Sequence, residues 1–96
     1  FPGNPVMPGV LIVEALAQLG GIVIKAGEGH RDISAYLLSL DNVKFRKPVV
    51  PGDQIVLKVS TDRLRSRSAQ VQGRAYVQDQ LVAEAEIRYA LVNPRP

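Results

Sequence analysis

From Val10 to Ile24 the chain reads VLIVEALAQLGGIVI, where the only ionisable side chain is Glu14 and the only other polar one is Gln18. Pro8 and Gly9 lead into this run, and a proline with a fixed φ and no N–H suits a helix start. A surface helix carries a polar stripe at the 3.6-residue period, so a helix that is apolar all round has to be buried all round. The run therefore predicts a central helix with the remainder of the chain folded around it.

A membrane span is the rival reading. The run falls short of the roughly 20 residues that a bilayer core requires, and a carboxylate sits within it. A water-soluble core helix fits better. Glu14 and Gln18 are four residues apart and share a helix face, so the amide can hydrogen-bond the carboxylate and orient it. Desolvation disfavours the charged form of a carboxyl in apolar surroundings, which suits it to proton transfer. Two polar groups satisfying each other in a core would leave the same pattern.

After the helix, Ala26-Gly27-Glu28-Gly29 holds the glycines expected of a helix stop. His30, the only histidine, follows in a loop at the far end of the helix from Gly9, and reads as an exposed loop residue. Ser34 to Leu40 and Val43 to Phe45 read as extended, broken by a turn or bulge at Asp41-Asn42. Pro51-Gly52 suits the middle of a type II turn. Three long strands follow, Gln54 to Leu64, Ala69 to Val77 and Leu81 to Leu91. In the first, Ile55, Leu57 and Val59 alternate with outward residues until the phase slips before Leu64, which predicts a bulge. Ala69, Val71, Gly73, Ala75 and Val77 form the inner face of the second, and Leu81, Ala83, Ala85, Ile87, Tyr89 and Leu91 that of the third. One apolar helix followed by amphipathic strands predicts an α+β layer architecture, an antiparallel sheet wrapped around a long central helix. Small inner residues such as Ala75, Ala83 and Ala85 leave room for the helix to lie close.

Ninety-six residues make one domain, 1–96, in which association would help to stabilise a modest core. The absence of cysteine removes disulfides, a thiolate nucleophile and cysteine–metal sites, and fits a reducing cytoplasm. No phosphate-loop, metal-ligand or serine-nucleophile motif is present, so neither metal nor other cofactor is expected. The net charge of +3 gathers at Lys44, Arg46 and Lys47 and at Arg63, Arg65 and Arg67. Such clusters are most often solvated faces, and no helix-turn-helix, zinc or RNP pattern accompanies them to suggest nucleic acid.

FPGNPVMPGVLIVEALAQ, LDNVKFRKPVVPGDQ and GRAYVQDQLVAEAEI stand in order along the chain. Together these blocks closely resemble the (3R)-hydroxyacyl-acyl carrier protein dehydratases of the FabZ type, which have the hotdog fold. Glu14 stands where the dehydratase-isomerase branch has Asp, which favours the plain dehydratase. The resemblance implies removal of water from a (3R)-3-hydroxyacyl thioester to give the trans-2-enoyl thioester, without a cofactor. It makes Glu14 the catalytic acid, contributed by a partner subunit, with Gln18 holding it in place. Gly9 would meet the thioester at the helix start, and Phe1, Met7 and Val10 would line the acyl tunnel. It further implies acyl carrier protein as partner, met by a basic rim, and a homodimer or trimer of dimers in the cytoplasm. The family's catalytic histidine immediately precedes Phe-Pro, and this sequence begins at Phe1. The domain is accordingly expected to be truncated at its N-terminus relative to the family, with the activity of these 96 residues alone impaired. Two other expectations remain open: a non-catalytic acyl-binding hotdog subunit of a heterodimer, and a hotdog thioesterase.

Overall fold

The structure, a computed structural model, describes residues 8–27 and 32–93. One helix, α1 (Gly9–Ala26), precedes four strands, β1 (Ser34–Phe45), β2 (Ile55–Leu64), β3 (Ser68–Val77) and β4 (Gln80–Val92). The helix begins where the proline stands, with Pro8 as its N-cap, and the Leu11 N–H turns back onto the Pro8 carbonyl at 3.1 Å. It ends at Gly27, whose N–H reaches the Ile24 carbonyl. Gly27 has φ −65 and ψ 153, so the stop is an extended residue rather than a left-handed glycine. Gly29 and His30 lie outside the described residues.

The strands form a single antiparallel sheet in the order β1-β4-β3-β2, which leaves β1 and β2 as its edges. Strand alternation follows the inner faces read from sequence except at the start of β4, where the register shift after Ala75 leaves Leu81 half-buried and puts Val82 in the core. Ala69, Val71, Ala75, Ala83, Ala85, Ile87, Tyr89 and Leu91 are all buried on the side of α1, which touches all four strands. The small residues do admit the helix closely: a Cβ at Gly73 would lie 3.3 Å from atoms of Leu16, the fully buried centre of α1. β1 runs unbroken through Asp41-Asn42, where the chain bulges between Asp41 and Lys44 and Asn42 takes φ 50. The slip foreseen in β2 falls between Thr61 and Arg63. Between β1 and β2, Val50-Pro51-Gly52-Asp53 closes as a turn with Gly52 at φ 96 and the Asp53 N–H on the Val50 carbonyl, as a type II turn requires.

The expected all-round burial of the helix is not met within this chain. α1 is buried on one side only, through Ile12, Val13, Leu16, Gly20 and Ile24, while Val10 is 67% and Ile22 65% exposed. Four strands on one face cannot reach the other side of a helix that is apolar all round. Its 18 residues and mean hydropathy of 1.7 would suit a membrane span, but its contacts with every strand of the sheet make it the core helix of this domain.

Candidate functional site

α1 and β1 diverge enough to leave a groove between them. It comprises two adjoining cavities of about 550 and 930 Å³ that share Val10, Val13 and Leu40. The smaller lies over the start of α1, walled by Gly9, Phe45 and Val49, with Arg46 and Lys47 at its rim. The larger continues along the helix past Glu14, Ala17, Gln18 and Gly21 to Lys25, and is faced by Ala35, Tyr36, Leu37 and Tyr89. Volumes of this order and a mostly apolar lining with few polar groups suit a site for an apolar small molecule.

Of the residues singled out from sequence, Gly9, Val10, Glu14 and Gln18 are brought together on this groove. Phe1 and Met7 lie outside the described residues. Glu14 and Gln18 both project from the open side of α1 and are exposed. No hydrogen bond joins them among the described residues, so the expected amide–carboxylate pairing is not made in this chain. Nor does this chain bury Glu14, because the covering sheet is on the opposite side of the helix. Gly9 also departs from expectation. The room its missing side chain leaves is taken by the Phe45 ring, whose nearest carbon lies 2.5 Å from where a Cβ would stand. Phe45 is itself 56% exposed.

The basic residues divide between two ends of the sheet. Arg46 is tied to Glu84 on β4 (2.7 Å), and this hydrogen bond holds the Glu84 carboxyl below its usual range. Lys47 donates to Gln80 Oε1 at 2.8 Å. Arg63 and Arg65 gather with Arg88 around a shallow pocket near the β2–β3 turn.

One polar contact was not foreseen from the sequence. Tyr89, 2% exposed on β4, donates its hydroxyl to the Ala17 carbonyl of α1 at 2.5 Å. Burial pushes its pKa up to about 12, with the backbone of Gly21 acting in the opposite direction. A Cβ at Gly20 would overlap that hydroxyl. The sequence signal was the Gly20-Gly21 pair inside a helix: each glycine there costs about 1 kcal/mol relative to alanine, and a close approach offsets it.

A long helix laid across one face of an antiparallel sheet, with an apolar groove along it, defines a hotdog-fold domain. The solved structures it resembles share that fold. A hexameric thioesterase from Yersinia pestis superposes with a TM-score of 0.82 at 20% identity, over 96% of this chain and 76% of that one. A hexameric broad-specificity acyl-coenzyme A thioesterase gives 0.83 at 17%, over 98% and 72%. Sequence places the chain more narrowly: residues 1–86 match the FabA-like domain, and the chain belongs to that family. It is 47% identical over 94 residues to a 3-hydroxyacyl-[acyl-carrier-protein] dehydratase FabZ of Thermomicrobium roseum, and 52% identical over 96 residues to that of Anaplasma phagocytophilum. These alignments cover 98% and 97% of this chain but only 63% and 66% of the relatives.

Proposed function

We propose that the protein carrying this chain dehydrates (3R)-3-hydroxyacyl thioesters of acyl carrier protein to trans-2-enoyl thioesters in cytoplasmic fatty-acid synthesis. The observation that carries the reading is the position of Glu14, the only acid on the apolar groove among the described residues. In this reading a base takes the C2 proton, and Glu14 protonates the departing C3 hydroxyl as the C–O bond breaks. In the resembling dehydratases that base is the histidine immediately before Phe-Pro, a position outside these 96 residues. The first amides of a helix have no carbonyl partner within it, and the positive end of the dipole lies there. The start of α1 at Gly9 therefore favours negative charge developing on the thioester oxygen. Substrate entry turns the Phe45 ring off Gly9. Val10 walls the acyl chain, and Gln18 orients Glu14 once a partner covers the open side of α1.

That partner is a second copy of the chain, in a dimer or trimer of dimers. The exposed apolar side of α1 and the free edge at β1 support this, because patches of such extent mark association surfaces. Arg46 and Lys47 at the groove rim, with the arginines of the β2–β3 turn, supply the cationic surface that an acidic carrier protein would meet.

The test is Glu14→Gln in the intact protein, assayed by hydration of a trans-2-enoyl thioester, the reverse reaction. The expected loss is about 10²–10⁴-fold, the usual contribution of a general acid. An unchanged hydration rate would refute the assignment.

A further inference from the structure

We propose that Tyr89 is a positioning residue: its hydroxyl, seated on the Ala17 carbonyl in the space that Gly20 leaves open, fixes the rotation of α1 and thereby the direction of Glu14. The inference rests on the dehydratase reading of Glu14. Three observations converge on this contact. The hydroxyl bonds helix backbone at 2.5 Å across 72 residues of sequence. It occupies the volume where a Cβ at Gly20 would stand, so the helix approaches β4 at that height only because residue 20 is glycine. Ala17 is three residues from Glu14, and both line the same groove with Tyr89.

Elsewhere α1 meets the sheet through aliphatic side chains such as Leu16 and Ile24, whose contacts are non-directional. A directed hydrogen bond supplies what they lack. Side-chain atoms lie about 5–6 Å from a helix axis, so a rotation of about 10° carries the Glu14 carboxyl through ~1 Å. Displacement on that scale at a reacting centre is worth up to about 10²-fold in rate.

The experiment compares Tyr89→Phe, Gly20→Ala and the double variant in the intact protein, reading kcat, KM and Tm for each. Tyr89→Phe keeps the ring and loses the seat, so kcat is expected to fall by roughly 10- to 100-fold with KM unchanged. Gly20→Ala displaces the hydroxyl and gives the same loss together with a lowered Tm. In the double variant the overlap with the hydroxyl is gone and the new methyl meets only the ring carbon and Val71, each at 3.3 Å, which must give by a few tenths of an ångström: Tm rises back above that of Gly20→Ala and kcat does not recover. Recovery of stability without turnover separates positioning from packing. Wild-type kcat in Tyr89→Phe, or kcat recovering in step with Tm, overturns the proposal. A wild-type protein without any hydration activity overturns the reading of Glu14 and the positioning role with it. The stability coupling between residues 20 and 89 then shows that the contact serves packing alone.

Discussion

Burial keeps the Tyr89 phenol neutral until about pH 12, against the opposing effect of the Gly21 backbone. An unfolded tyrosine ionises near pH 10. Between those values the unfolded chain has given up a proton that the folded chain retains, so stability is complete below about pH 10 and falls as the pH climbs toward 12. Spectrophotometric titration of tyrosinate should show one of the three tyrosines ionising near 12, and Tyr89→Phe should remove that step and flatten the alkaline loss of stability. At this scale the sequence was legible in its exceptions. A carboxylate within an apolar helix announced Glu14, and Gly9 and Val10 fell on the same groove. The surroundings of these residues were not legible, because they are set by groups distant in sequence: Phe45 over Gly9, and Arg46 against Glu84 across 38 residues.

Strand faces were read closely because one side of the sheet is buried and the other is not, so the period of two is written into residue type. The weaker readings lay where one local conformation serves two purposes. Asn42 at φ 50 would fit a turn between two strands as well as the bulge that it forms inside β1. The β3–β4 hairpin carries a testable flaw of the same kind. Val77 pairs with Gln80, leaving Gln78 and Asp79 as a two-residue loop, with φ 51 and 64. Both central positions of such a turn favour Asn-Gly. The double substitution Gln78→Asn, Asp79→Gly should stabilise the protein by about 1 kcal/mol. Thermal denaturation should show this as a rise of about 4–8 °C in Tm.

As a whole, the molecule has more apolar surface than one sheet can cover. Val10, Leu11, Ile22 and Val23 on α1 and Tyr36, Leu37, Leu38 and Leu40 on β1 remain exposed. Sedimentation velocity should therefore find at least a dimer. Leu38 stands at the β1 irregularity, outside the ladder to β4. Leu38→Glu should shift the distribution toward monomer, since a charge at an edge opposes pairing. The fold class was legible at this scale from one helix and the strands after it. That the helix would be half uncovered was not, since an all-apolar helix says that it must be covered and not by which chain.

The link between Tyr89 and Ala17 also sets an order in time. The helix is synthesised before the sheet, yet the hydroxyl that seats it belongs to β4, 72 residues later. At about 5–20 residues per second, α1 waits roughly 4–14 s on the ribosome before that hydroxyl exists. For those seconds α1 can be covered only by the earlier strands that it touches, β1, β2 and β3, without the hydroxyl that seats it on β4.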